Sequence, residues 1–286
     1  MRPWHSAQVA WRRRLGAVSV LCIGLLTVPV GAAGAQEAPR TGPGASFFED
    51  FSKLDRKRWY VSHGWNNGPN HGCAWSASNN KLVPPHGVNQ ILNDHPAADR
   101  PYSCGELQSM EFYGYGTYEV RMRPIEASGV VTGFFIYTGP PHGAGKRHDE
   151  IDFEFMGKAP GEVQLNYFAA GKGGHERDIK LGFNAAATTA DYAFQWTPDA
   201  IRWFVNGKLV HEVKRDTGEP FPTEPGKIYL SIWTGIGMEA WMGRLQYPGR
   251  PLVTSYEHVA FTALGEPCRF PASVLCGDGR QSPRSP

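Results

Sequence analysis

The sequence predicts an all-β protein whose two antiparallel sheets pack as a sandwich or jelly roll. Three observations predict it. Short apolar or alternating runs recur from Ser46 to Phe261 with turn signals between them, and no segment of eleven or more residues keeps a helical period. Glycine and proline are abundant, at 34 and 23 residues, as a chain of many turns requires. Nine Trp, eleven Tyr and fifteen Phe suit a β-rich core.

The elements follow in order. Structure begins at residues 46–51. Residues 105–112 alternate, and 116–123 alternate more cleanly. Residues 130–137 are continuously apolar, the mark of a central strand covered on both faces. An acidic strand at 150–155 comes next, then 162–168, 192–196 and 201–205. Asn206-Gly207, between 203–205 and 208–213, is the strongest hairpin signal in the chain. Runs at 228–233 and 256–261 complete the strands.

The ends read differently. Arg2 and Arg12-Arg13-Arg14 precede an apolar run to Val30, and Ala33 and Ala35 stand in an A-x-A arrangement. That predicts a signal peptide over 1–35, cleaved after Ala35, and a secreted or periplasmic protein with no membrane segment after cleavage. Residues 36–45 are a Pro/Gly-rich linker, 46–264 the folded domain, and 265–286 a cysteine-closed loop with a disordered tail. A length of 286 residues suits one such domain, and a net charge of +2 leaves no electrostatic footprint for nucleic acid. Cys22 belongs to the leader. Cys73, Cys104, Cys268 and Cys276 remain, an even number in an oxidising compartment. Three pairings exist, and proximity favours Cys73–Cys104 and Cys268–Cys276. A zinc site competes, but no C-x-x-C spacing supports it.

The chemistry points to residues 148–157. Acidic and apolar residues alternate strictly from Glu150 to Phe155, so Glu150, Asp152 and Glu154 share one face of a strand and Ile151, Phe153 and Phe155 the other. Three like charges on one face repel, a cost that stability alone would not select. A solvated acidic face is the plain alternative. Paired carboxylates are what glycoside hydrolysis uses, and a retaining mechanism holds them about 5–5.5 Å apart. Residues i and i+4 of a flat strand lie roughly 13 Å apart, so the two Glu side chains must lean together over a curved sheet.

With this strand placed mid-sheet, the chain resembles glycoside hydrolase family 16, whose motif Glu-x-Asp-x-Glu stands here as Glu150-Ile151-Asp152-Phe153-Glu154. Cys104-Gly105-Glu106, the Tyr113–Val120 stretch, the Phe134–Pro140 stretch and Pro225-Gly226-Lys227-Ile228 resemble its lichenase branch. The resemblance implies a concanavalin A-like jelly roll with a concave sugar-binding cleft and a retaining, endo-acting mechanism. It implies Glu150 as nucleophile, Glu154 as general acid/base and Asp152 as the helper between them. Phe135 and Tyr137 match cleft aromatics, Trp233 and Trp241 match sugar-stacking tryptophans, and Asn67, Glu106 and Asn166 match polar cleft positions.

Three substrate-facing positions depart from lichenases: Gln108 replaces Arg, His148 replaces Trp, and Ser231 replaces Asn. With residues 64–68 and the Cys268–Cys276 segment, these resemble the bacterial endo-β-1,3-1,4-glycanases that depolymerise succinoglycan-type exopolysaccharide. The implied partner is a polysaccharide, with no nucleic acid and no membrane, and the protein is expected to be a monomer. No cofactor serves the chemistry. A structural calcium is implied at Asp50, Gly87 and Glu257, with Glu in place of the family's Asp. Two competing readings share the fold: a xyloglucan-type endotransglycosylase using the same site, and a carbohydrate-binding jelly roll without catalysis.

Overall fold

The computed structural model describes residues 44–140, 147–216 and 218–276. The expected signal peptide over 1–35, all but the last residues of the expected linker, and the tail from 277 onward lie outside the described residues. Seventeen strands account for nearly all of the regular structure. In order they are β1 (Phe47–Glu49), β2 (Trp59–Val61), β3 (Cys73–Trp75), β4 (Asn80–Leu82), β5 (Val88–Asn93) and β6 (Tyr102–Cys104). Then come β7 (Glu106–Ser109), β8 (Gly116–Arg123), β9 (Val130–Thr138), β10 (Asp149–Met156), β11 (Glu162–Phe168) and β12 (Arg177–Lys180). The last are β13 (Ala190–Trp196), β14 (Ala200–Val205), β15 (Lys208–Lys214), β16 (Lys227–Thr234) and β17 (Leu252–Ala263). Among the described residues the one α-helix, α1 (Glu239–Met242), is a single turn.

Two sheets result. A seven-stranded sheet runs β12-β11-β10-β9-β16-β7-β2, and a ten-stranded sheet runs β15-β14-β13-β8-β17-β5-β6-β3 with β1 on β17 and β4 on β5. All ladders are antiparallel except β3 with β6. The alternation in the sequence explains the layering. Phe134 and Ile136 of β9, Ile151, Phe153 and Phe155 of β10, and Leu165 of β11 turn inward from one sheet. Tyr118, Tyr192, Phe194, Trp196, Trp203, Tyr256 and Phe261 meet them from the other. These aromatics interlock, as in Phe153 against Tyr192 at 5.7 Å and Phe134 against Phe194 at 5.6 Å.

Three buried polar side chains of the ten-stranded sheet cross this core and grip the backbone of its partner. Trp203 Nε1 donates to the Asp152 carbonyl at 3.1 Å, Tyr256 Oη reaches the carbonyls of Gly133 and Ser231 at 2.9 and 3.1 Å, and Gln90 Nε2 donates to the Leu230 carbonyl at 2.9 Å. Such groups are stable in a core only when bonded. All three hold β10, β9 or β16, the centre of the seven-stranded sheet.

The Asn206-Gly207 hairpin forms between β14 and β15, with φ of +48° and +76° at its two central residues, as a type I′ turn requires. Both disulfides also form. Cys73–Cys104 joins β3 to β6 with Cα atoms 5.9 Å apart, and Cys268–Cys276 closes the C-terminal loop at 5.7 Å. That loop packs on β8 of the ten-stranded sheet. Ser273 Oγ and the Val274 N–H both donate to the buried Glu119 carboxylate, at 2.7 and 2.9 Å.

One expectation needs correction. β9 is not covered on both faces: Phe135 and Tyr137 point away from the core and stay half-buried. Its run reads as continuously apolar because the outward positions carry aromatics that serve the site. The short strands β2, β3, β4, β6 and β12 carry no pattern the sequence could show, since three or four residues cannot establish a period.

Candidate active site

The register of the seven-stranded sheet arranges the outward side chains in rows that cross the strands. β10 lies between β9 and β11. Glu150 stands opposite Phe168 and Tyr137, Asp152 opposite Asn166 and Phe135, and Glu154 opposite Gln164 and Gly133. On β16, Tyr229 pairs with Phe135 and Gln108, Ser231 with Gly133 and Glu106, and Trp233 with Val131. The three carboxylates therefore head three adjacent rows of one face, and Glu150 and Glu154 remain partly exposed on it.

Gly133 leaves room beside Glu154. A β-carbon there would stand 3.1 Å from Ser231 Oγ and 3.2 Å from the Phe135 ring. On the other side, Trp241 Nε1 donates to Gln164 Oε1 at 2.9 Å, and Gln164 Nε2 donates to Asp178 at 2.9 Å. Trp241 is thereby held above the row that contains Glu154. Trp233 lies beside it at 5.9 Å between ring centroids, and His71 stacks on Trp233 at 5.6 Å and 24°. Trp233 and Trp241, half-buried and backed by the buried His71, form an aromatic strip suited to stacking the flat faces of sugar rings. The sequence reading did not single out His71. Burial holds it neutral, with its ring pushed down to about 4.

The carboxylates are electrostatically distinct. Burial, then the charge of Glu150, then that of the loop residue Glu176, push Glu154 up to about 8. Asp152, only 3% exposed, is raised well above the usual carboxylate range by burial, by the charges of Glu150 and Glu154, and by its hydrogen bond to Glu150. At neutral pH the face thus offers a protonated Glu154 and a protonated Asp152 that bonds Glu150. One proton donor and one carboxylate nucleophile on the same face is the equipment for double displacement at an acetal carbon.

His148 is bonded to this group, with Nε2 2.5 Å from Glu150 Oε2. Asp149, buried next to it, fixes the start of β10. Its carboxylate accepts the N–H groups of Ala170, Thr223 and Glu224 at 2.6, 2.8 and 3.1 Å. The sequence carries a signal for Asp149, as the fourth acid of the run, but its parity turns it away from the site.

Four expected substrate contacts are placed differently. Gln108 is 0% exposed, Glu106 and Ser231 2%, and Asn166 5%. Glu106 accepts from Ser62 Oγ at 2.6 Å and from Gln108 Nε2 at 2.8 Å, and burial pushes it up to about 7. Asn166 Oδ1 accepts the N–H of Tyr167 at 2.9 Å. By register these residues share the face of the carboxylates, but they are buried in it beside the stacked rings of Tyr229 and Phe135, 4.8 Å apart. Asn67 is exposed and accepts from Trp75 Nε1 at 3.1 Å, at the far end beyond His71. Three further residues of the face, Phe168, Gln164 and Tyr229, were not expected.

The calcium positions converge but do not fit the ion. A β-carbon on Gly87 would lie 3.1 Å from the Tyr256 carbonyl and 3.6 Å from Glu257 Cα, and the Gly87 N–H donates to the Asp50 carbonyl at 2.9 Å. The Gly87 carbonyl in turn accepts from Val83. The Glu257 carboxylate, the side-chain ligand of the predicted set, pairs at 2.8 Å with Arg121, which also binds Asp191. A guanidinium already neutralises the carboxylate that a cation would need. Chelation with EDTA is expected to leave both the thermal midpoint and the activity unchanged; a drop of several degrees, reversed by calcium, would show that Glu257 turns to the metal.

Residues 68–248 match the family described as glycosyl hydrolases family 16. The endo-1,3-1,4-beta-glycanase ExoK of Rhizobium meliloti (strain 1021) is 41% identical over 234 residues, covering 81% of this chain and 84% of that protein. A beta-glucanase of Bacillus subtilis (strain 168) is 41% identical over 220 residues, covering 77% and 87%. Among solved structures, Bacillus licheniformis beta-glucanase superposes with a TM-score of 0.71 at 38% identity, over 77% of this chain and 98% of that one.

Proposed function

Because the chain belongs to glycosyl hydrolases family 16, we propose that it is a retaining endo-β-glycanase, cutting β-1,3-1,4-linked glucan or a succinoglycan-type exopolysaccharide by double displacement. The observation that carries the reading is the pairing of a protonated Glu154 with Glu150 on one strand face. In the first step a Glu150 oxygen bonds the anomeric carbon as the glycosidic C–O bond breaks, and the departing oxygen takes the proton of Glu154. Water then attacks the same carbon from the opposite face. Glu154, now ionised, accepts its proton, and the ester electrons return to Glu150. Two inversions give net retention. Asp152 keeps its proton and holds Glu150 in line. The nucleophile and the proton donor are both carboxyl groups, so the chemistry calls for no metal.

The half-buried Trp233 and Trp241, backed by the buried His71, support an endo mode, since they offer stacking faces to further sugar units on one side of the carboxylates. Action on a secreted polysaccharide also agrees with the cysteine pairs and with the leader read from the sequence. The test is side-by-side digestion of lichenan, laminarin, xyloglucan and succinoglycan, with product lengths by mass spectrometry and anomers by NMR. Internal cleavage of lichenan or succinoglycan with β-anomers formed first is expected. First-formed α-anomers, products longer than the substrate, or binding without new reducing ends would each refute a stated part of the proposal.

A further inference from the structure

His148 begins the acidic run, and its ring does something the sequence reading did not assign to it. Positions i and i+2 of a strand share a face, so the imidazole lies beside Glu150 on the site side. Its Nε2 is 2.5 Å from Glu150 Oε2. The ring is clamped from both neighbouring strands. It stacks on Phe168 of β11 at 4.4 Å and 17°, and Tyr137 of β9 packs on it at 5.0 Å and 55°. Tyr137 is itself pinned, donating its hydroxyl to the Pro140 carbonyl at 2.7 Å. The His148 carbonyl accepts the Gly171 N–H at 2.7 Å, and Asp149 ties down the next residue through three backbone N–H groups. Backbone and ring are both held, so the Nε2–Oε2 contact persists without help from substrate.

We propose that His148 is a positioning residue for Glu150, donating Nε2–H to Oε2 so that the other carboxylate oxygen faces the anomeric carbon. The proposal rests on the reading of Glu150 as nucleophile. Its consequence differs between the two steps. When the Oε1–C1 bond forms and the glycosidic C–O bond breaks, Oε2 changes from a carboxylate oxygen to an ester carbonyl oxygen, and the bond from His148 weakens. When water attacks C1 and the Oε1–C1 electron pair returns to Glu150, Oε2 regains charge and the bond strengthens. The His148 proton stays on Nε2 in both steps. A donor of this kind orients the attack and assists the departure, so the second step depends on it more than the first.

The experiment uses His148→Phe, which keeps a ring to stack on Phe168 and removes the donor, and His148→Gln, which restores a donor. The substrate is an aryl β-oligoglucoside with an activated phenolate leaving group, which needs no proton from Glu154. His148→Phe is expected to lower kcat by about 10- to 100-fold, the range for a hydrogen bond to a charged group. A pre-steady-state burst of phenolate should appear, KM should stay level or fall, and mass spectrometry should find the sugar esterified to Glu150. His148→Gln should recover most of kcat. A loss confined to KM would overturn the proposal and make His148 a sugar contact. Failure of His148→Gln to recover activity, while its thermal midpoint stays at the wild-type value, would overturn it too. The underlying reading fails separately, if the wild type cuts no β-glycan or Glu150→Gln remains active.

Discussion

Replacing Glu150 by Gln is expected to lower kcat on β-1,3-1,4-glucan by about 10⁴- to 10⁶-fold, the scale on which enzymes lose activity when a nucleophile is removed. The amide keeps the shape of the side chain and can still accept from His148, so the far-ultraviolet circular dichroism should match the wild type. The change removes one anion from a face that holds three carboxyl groups, so the thermal midpoint should hold or rise. Glu150→Ala provides the positive counterpart. With an activated aryl glycoside, added azide should enter the space left by the carboxylate, bond the anomeric carbon from the nucleophile's side and give the α-glycosyl azide. A β-azide, or full activity in Glu150→Gln, would remove Glu150 from its assigned role.

The second large effect is expected at Glu154. A general acid with its proton held up to about 8 is competent below that pH and spent above it. For unactivated polysaccharide, kcat/KM should therefore fall as pH rises through about 8. Glu154→Gln should lose about 10²- to 10⁴-fold on the same polymer and lose that basic limb. Its first step on an activated aryl glycoside should stay near wild type, because such a leaving group departs without a proton. The stability sign runs the same way. The folded state keeps a proton on Glu154 up to about 8, while the unfolded chain releases it near the ordinary value of 4.5. Folding stability from this group is full below 4.5 and falls as pH rises from there to about 8. Glu154→Gln abolishes the penalty, so its thermal midpoint should exceed the wild type at pH 8 and equal it at pH 4. Equal midpoints at both values would place the raised proton affinity elsewhere, with Asp152 the neighbour to examine.

Parity was the strongest signal. The alternation at 150–155 put three acids on one face and Ile151, Phe153 and Phe155 in the core, and both faces are realised in β10. The same rule could have found Phe168 and Gln164, two residues either side of Asn166, and Tyr229, two before Ser231. It could not show that Gln108 and Ser231 are buried in that face, because depth depends on what stacks across the neighbouring strands. Charge pairing was equally hidden. Glu257 carries nothing in the sequence to say that Arg121, 136 residues away, takes its carboxylate.

The sequence by itself determined the fold class, the carboxylate strand, the Asn206-Gly207 hairpin and the cysteine partners. Each is written in local order, as a period of two, a turn dipeptide or short spacing along the chain. Only the tertiary structure decided that His148 clamps Glu150, that Trp203, Tyr256 and Gln90 brace the strands from the opposite sheet, and that Trp241 folds back onto Gln164 above Glu154. These depend on which strands become neighbours and in what register, and that choice comes from burying two whole sheet faces against each other.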